Sequence, residues 1–477
     1  RCTGYRKIID AVMDRPAPDG ADGVGGSLHR VDGADKVHGR EAFGDDIAPP
    51  GTLVIRVIRS PHEHAEFTFG DLSGWKEGNP GIVAVLTAAD VPGENHYGAI
   101  PGFIDQPVFA EGEARFRGEA VSAVVGNSEA IAAFDEAGFP VTWVPLPALM
   151  SVSEALADGA PLVQKQRTGN VMCGGFVACG VAEAALETAD VVVEGHFETS
   201  FVEHAYIEPE AGFAQVVDGR VEIHACTQSP AMDRAALAGI LGMPEDALRI
   251  VPTGIGGGFG SKLDLSVQPY LAIAALKTGQ PVRMAYSRPE SMMSTTKRHP
   301  AEIEMKIGAT RDGRISGITF QGRFNTGAYA SWGPTVANRV PIHASGPYRV
   351  SDYRAEATGV HTNGPPAGAF RGFGVPQSAF AQESLMDDLA DKLGIDRLEI
   401  RIENALTNGV PTVCGQVFET GVGIRECLEA LRPAWHAARS ETTAFNAASA
   451  GTKRGVGVAA GWYGCGNTSM PNPSTIK

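Results

Sequence analysis

The stretch from Arg249 to Lys262, Arg-Ile-Val-Pro-Thr-Gly-Ile-Gly-Gly-Gly-Phe-Gly-Ser-Lys, concentrates residue types that let a backbone close around a ligand. Six of its fourteen residues are Gly or Pro. The β-branched pair Ile250 and Val251 leads in as a strand, and Leu265 to Leu276 reads as a helix. Gly254, Gly256, Gly257, Gly258 and Gly260 permit positive φ and carry no Cβ to block a close approach. Free N–H groups beside a helix start suit an anion. The familiar phosphate loops do not match, however. A Walker A loop needs Gly-Lys-Ser/Thr where this one ends Gly-Ser-Lys, and Gly-x-Gly-x-x-Gly finds no register around Phe259 and Ser261. Taken alone, the stretch is also compatible with an ordinary tight turn.

Two other stretches carry related chemistry. Ala369-Phe370-Arg371-Gly372-Phe373-Gly374-Val375-Pro376-Gln377 is a second glycine-spaced loop with a cation and an aromatic, and Thr227-Gln228-Ser229-Pro230 sets a neutral amide before a helical run. Taken along the chain as Gln228, the Gly-Gly-Gly-Phe-Gly loop and Phe-Arg-Gly-Phe-Gly-x-Pro-Gln, the three resemble the molybdenum hydroxylases of the xanthine dehydrogenase and aldehyde oxidase family, and the resemblance runs from about Asp32 to the last residue. It implies oxidation of an electron-poor carbon with water as the oxygen source. The cofactor is a molybdopterin, in its simple or cytosine dinucleotide form, and electrons leave through [2Fe–2S] clusters and FAD. The resemblance gives Gln228 a hydrogen bond to the apical oxygen of the metal, made without adding charge. Gly257, Gly258, Phe259 and Gly260 approach metal and pterin, and Arg371 joins both the catalytic and the cofactor set. Phe373 packs on a flat substrate, where ring stacking contributes about 0.5–1.5 kcal/mol.

Arg339, nine residues before Tyr348, falls where the family's substrate arginine does and would anchor a carboxylate or a purine anion. Leu263 stands where xanthine dehydrogenases carry a substrate-binding Glu. Together they imply an N-heteroaromatic substrate other than xanthine, either a less oxygenated purine or a nicotinate-like acid. An aldehyde oxidoreductase component is the alternative, and a non-catalytic fragment or paralogue of the same fold is the opposing class. Arg371-Gly372-Phe373 lacks the Cys that a carbon-monoxide dehydrogenase needs there.

The expected fold class is α+β, with an α/β-hammerhead domain over 32–150 followed by a large mixed α/β molybdopterin-binding domain over 151–477. The opening Cys2-Thr3-Gly4-Tyr5 resembles the end of a helical [2Fe–2S] domain (1–15), with Cys2 as the last cluster ligand and 16–31 as a linker. The length of 477 residues exceeds one compact core, and 43% hydrophobic content is that of a globular chain. A formal charge of −15 argues against nucleic-acid binding and against an anionic membrane surface. No apolar run approaches a membrane span of roughly twenty residues. Seven scattered cysteines make a poor disulfide framework and fit a reducing cytoplasm; Cys173 and Cys179 read as thiols rather than as a metal pair.

Strands are expected at Leu53–Ile58, Ile82–Leu86, Val121–Val125, Val282–Tyr286, Ala301–Ile307 and Ile315–Arg323, and one alternating run at Val191–Val217. Helices are expected at Glu129–Ala137, Gln377–Leu393 and Asp396–Ala405. Ala437–Thr452 reads as a surface linker and Gly455–Gly461 as the start of a strand. Glu203, Glu208 and Glu210 fall within eight residues, but the resemblance makes that segment mainly structural. His62 and His64 read as surface residues. The family's general base and its glutamine-rich pterin loop lie beyond the matched region. The resemblance therefore implies completion by the C-terminal half of the molybdenum subunit and by iron–sulfur and FAD subunits. With Cys2 supplying one of the four thiolates a cluster needs, the 477-residue polypeptide alone should show no [2Fe–2S] absorbance and no paramagnetic signal on reduction. A stoichiometric two-iron cluster on it refutes the assignment.

Overall fold

Runs of period-two alternation assemble into two large sheets, each covered by helices. The computed structural model describes residue 30 and residues 32–464; Cys2, the 1–15 tail and nearly all of the 16–31 linker lie outside the described residues. The first sheet has seven strands, in the order Leu248–Pro252, Arg220–Ala225, Ala211–Val217, Val282–Ala285, Leu53–Arg59, Ala120–Gly126, Ile82–Leu86. Three of these come from the first 150 residues and four from the rest. They are joined where Leu53–Arg59 pairs in parallel with Val282–Ala285. The Gln268–Thr278 helix packs on this sheet and is buried from Gln268 to Ala275.

The second sheet has five strands, ordered Val191–Thr199, Ala301–Ala309, Ile315–Gly327, Tyr353–His361, Val171–Cys179. Its inner face packs Ile303, Met305, Ile318 and Phe320 against the Gly333–His343 and Val375–Leu393 helices. Pro376 opens the latter helix and Gly394, at φ +68°, closes it. Both half-buried thiols, Cys173 and Cys179, sit on an edge strand of this sheet, and burial pushes the Cys173 thiol up to about 11.

Several sequence readings are corrected. The run from Val191 to Val217 is two strands in different sheets, because 201–210 leaves the ladder to reach the glycine loop. The 129–137 helix is shorter, Ser128–Ala132, followed by a single turn at Glu136–Gly138. Ala437–Thr452 is no linker: the Ile424–Ala448 helix runs through most of it. Leu428 and Trp435 pack on Leu398, Ile402 and Ala405, and Trp435 Nε1 donates to Asp396, the cap of the Arg397–Asn404 helix. Alanines, among the best helix formers, carry the helix on from there. Gly455–Gly461 has no strand partner among the described residues, although Val456, Val458 and Ala460 still alternate inward. His64 is more than a surface residue, since its ring bonds Glu113 at 2.9 Å and the Pro147 carbonyl at 2.7 Å. No helix of the described residues is long and apolar enough to cross a membrane.

The hammerhead region meets the larger domain at a buried carboxyl. Glu119 accepts from the Tyr329 hydroxyl and from the Arg115 N–H, beside the packed rings of Phe116 and Tyr329. Burial pushes Glu119 up to about 7 from an ordinary 4.5. The folded chain thus keeps a proton that the unfolded chain has already released. Its contribution is full below about 4.5 and is lost as pH rises to about 7. Glu119→Gln should remove this share of the decline, read as a smaller gap between urea midpoints measured at the two ends of that window.

Candidate active site

Two neighbouring parallel strands, Arg220–Ala225 and Leu248–Pro252, end side by side. The first runs out into Cys226-Thr227-Gln228 and the second into the glycine loop, which is how residues far apart in sequence come together. The Gln228 N–H donates to the Lys262 carbonyl at 2.8 Å, and its Oε1 accepts the Gly260 N–H at 2.9 Å. That bond fixes the amide's orientation. Among the described residues no chain atom accepts from its Nε2, and Gln228 is exposed.

The loop tolerates no side chain where it turns. A Cβ on Gly258 would lie 2.4 Å from Gln228 Oε1, and one on Gly260, at φ +115°, would lie 2.4 Å from the Ala369 carbonyl oxygen. Phe259 between them adopts φ +51°, a strained backbone for an aromatic, and remains exposed. Its carbonyl accepts the Arg371 N–H at 2.9 Å, locking the second loop to the first. Arg371 itself is exposed and its carbonyl accepts from Arg298 at 2.8 Å. Two residues on, Phe373 holds φ +43° and meets Trp332 edge-on at 5.9 Å.

Behind the loop stands a buried ion pair that sequence reasoning missed. Lys262 Nζ lies 2.8 Å from Glu208 Oε2 and 4.7 Å from the Tyr206 ring. The same carboxylate accepts the Gly256 N–H at 2.7 Å and the Gly44 N–H at 3.3 Å. Glu203 pairs with Lys297 at 2.6 Å, and Glu210 accepts from Tyr206. Glu208 is thus committed to structural contacts, whereas both Glu203 oxygens, apart from the ion pair with Lys297, and Glu210 Oε2 are buried with no hydrogen-bond partner among the described residues. His204 stacks on Phe370 at 3.9 Å, and Arg298 lies 3.9 Å over the same ring. Burial presses His204 down to about 3 and Arg298 down to about 10, so the ring stays neutral while the guanidinium is partly stripped of water.

The expected substrate residues divide. Arg339, on the Gly333–His343 helix and 4% exposed, has its guanidinium 5.7 Å from the Phe373 ring and 4.8 Å from the Tyr463 ring. Leu263 donates its N–H back to the Gly260 carbonyl, and it lines a cavity with Tyr97, Met232 and Asp233 that neither Arg339 nor Phe373 lines. A strap at Trp462–Gly464 closes over Arg339, with Nη1 reaching the Gly464 carbonyl at 3.4 Å. The sequence carries no signal for this, since the contact joins segments far apart in the chain.

Residues 163–405 match the profile of the molybdopterin cofactor-binding domain, and residues 38–139 that of the aldehyde oxidase and xanthine dehydrogenase a/b hammerhead domain. The chain belongs to the xanthine dehydrogenase and aldehyde oxidase family of molybdenum hydroxylases. It is 37% identical to the nicotinate dehydrogenase large molybdopterin subunit of Eubacterium barkeri, over 86% of this chain and 95% of that one. Against the xanthine dehydrogenase molybdenum-binding subunit of Escherichia coli O157:H7 it is 32% identical, over 90% of this chain and 58% of the other. The aldehyde oxidoreductase structure from Desulfovibrio gigas superposes with a TM-score of 0.86 at 30% identity, covering 93% of this chain and 52% of that one. The chain therefore spans nearly all of the Eubacterium subunit but only about half the length of the other two proteins.

The residues at the site fit the family's cofactor. The glycine loop packs its backbone directly against Gln228 and Ala369, and among the described residues no chain atom takes the amide donor of Gln228. Gly260→Ala combines the positive φ with the clash at Ala369, whereas Gly279, at φ +66°, has nothing within 4 Å of an added Cβ. Gly279→Ala should therefore cost only about 1 kcal/mol. Gly260→Ala should in addition strip molybdenum from the purified complex, read as metal per chain by mass spectrometry.

Proposed function

We propose that the chain forms the pocket-lining, molybdopterin-bearing part of a hydroxylase that oxidises an anionic N-heteroaromatic compound, nicotinate-like or a purine, with water as the oxygen source. The observation that carries this reading is the buried Arg339 guanidinium between the rings of Phe373 and Tyr463. A cation held at 4% exposure meets a substrate anion with little water left to displace, so its charge-assisted hydrogen bonds count for more than at a surface. Phe373 offers a ring to a planar heterocycle. Relatives named nicotinate dehydrogenase and xanthine dehydrogenase support the substrate class.

When bound, the molybdenum pterin supplies the two-electron oxidant and the activation of water. Gln228 Nε2, the N–H groups of Gly257, Gly258 and Phe259, and Arg371 are the groups of this chain that would hold it, the Gly256 and Gly260 N–H groups being taken by Glu208 and Gln228. Phe259, pinned through its carbonyl to Arg371, presents its exposed ring at that surface. The C-terminal half of the molybdenum subunit, together with [2Fe–2S] and FAD subunits in the cytoplasm, completes the enzyme in this reading, and the cytosine dinucleotide form of the pterin is included in it. Leu263, which lines a cavity apart from Arg339 and Phe373, carries no part of this substrate reading. An aldehyde substrate is the second reading, favoured by the likeness to the Desulfovibrio aldehyde oxidoreductase.

Arg339→Met in the assembled complex should lower kcat/KM for nicotinate or hypoxanthine about a hundredfold, within the ~2–5 kcal/mol expected for stranding a buried charge, and spare benzaldehyde. Equal losses on all three substrates reassign Arg339 to the fold and remove the heteroaromatic reading.

A further inference from the structure

We propose that His343 is a positioning residue: its neutral imidazole latches the Trp462–Gly464 strap over Arg339 and so orients the guanidinium. The idea rests on Arg339 being the substrate anchor. His343 closes the Gly333–His343 helix and is buried. Its Nδ1 lies 2.9 Å from the Arg339 carbonyl oxygen, which can only accept, so Nδ1 carries the proton. Nε2 then keeps a lone pair, and it accepts the Gly464 N–H at 3.0 Å. The His343 carbonyl takes the Trp462 Nε1–H at 3.2 Å, and the Trp462 and Tyr463 rings stand 5.4 and 5.9 Å from the imidazole. One ring thus holds the backbone of Arg339 on one side and, on the other, the strap whose Gly464 carbonyl and Tyr463 ring meet the Arg339 head group.

Each nitrogen is satisfied in one protonation state and one tautomer only. A second proton would turn Nε2 toward Gly464 as a donor facing a donor and would set a cation beside Arg339. Burial first, and the Arg339 charge in smaller measure, hold His343 below the ordinary imidazole value, against the pull of the Arg339 carbonyl. Among the described residues, the ionisable groups on the elements packed around it include the Tyr463 phenol on the strap, Tyr353, whose hydroxyl donates to the Pro341 carbonyl at 2.6 Å, and, on the adjoining Val375–Leu393 helix, Glu383. The oxygens of Glu383 are taken by Tyr348, Arg401 and the Ala460 N–H.

The test combines deuterium exchange at Trp462–Gly464 with kinetics, both on the purified complex. His343→Phe keeps a ring and loses the acceptor; loss of that hydrogen bond should raise exchange of the strap by about tenfold. His343→Gln keeps an acceptor that does not titrate and should restore protection. Acidification should open the strap of the wild type beyond the intrinsic change in exchange, and should leave the His343→Gln strap closed. With nicotinate, His343→Phe should raise KM by about tenfold while kcat moves by less than about threefold. Unchanged exchange in His343→Phe, or an acid response that persists in His343→Gln, overturns the latch. If exchange rises, KM stays and Arg339→Met still raises KM, the positioning role is wrong. If Arg339→Met also leaves KM unchanged, the anchor reading fails and takes the proposal with it.

Discussion

The site depends on one buried ion pair. Lys262 and Glu208, with side chains 1% and 10% exposed, lie behind the glycine loop. A carboxylate taken this far out of water is tolerable only if its oxygens are filled, and Glu208 fills them with an ammonium and with N–H groups from Gly256 and Gly44. Those bonds join three segments: the start of the hammerhead region, the 201–210 excursion and the glycine loop. Deleting either charge would strand the other at a cost of about 3–5 kcal/mol. The loss would fall on the loop's geometry before it reached either core.

From that anchor the front of the site follows by contact. Once Gly256 is held, the turn at Gly258 and Gly260 brings the backbone against Gln228 and Ala369 at distances no Cβ allows. Phe259 is thereby committed to its strained φ, and its carbonyl captures the second loop at Arg371. The nearby cations Arg298 and Lys297 are pulled below their ordinary values by burial, while His204 and His299, each pressed by burial to about 3, stay neutral. Positive charge there sits on side chains that hold it with little water.

Local signals made much of this legible. Glycine spacing marked both loops, Pro230 marked the helix after Gln228, and the Gln377–Leu393 reading found the helix that the structure gives as Val375–Leu393, with Leu385 and Leu389 buried. Period-two alternation found most of the strands. It failed at Val191–Val217, because a chain that leaves one sheet and enters another can keep its hydrophobic rhythm through the departure. Ala437–Thr452 looked like a linker since few of its residues are apolar, yet Trp435 and Asp396 anchor the helix that continues into it. The strap over Arg339 and the Lys262–Glu208 pair were invisible for a different reason. Both are long-range pairings between residues that are each unremarkable in their own neighbourhood.

The seven-stranded sheet also sets an order of events at the ribosome. Leu53–Arg59 pairs with Ala120–Gly126 early, but its other edge waits for Val282–Ala285, which emerges only after the glycine loop has been made. Until then a strand carrying Leu53, Ile55 and Val57 presents open N–H and C=O groups to the nascent chain's surroundings, a template for wrong pairing. The sheet that supports the site thus keeps an edge open until Val282–Ala285 has been made. Slow elongation between these strands would lengthen that exposure and favour aggregation over assembly.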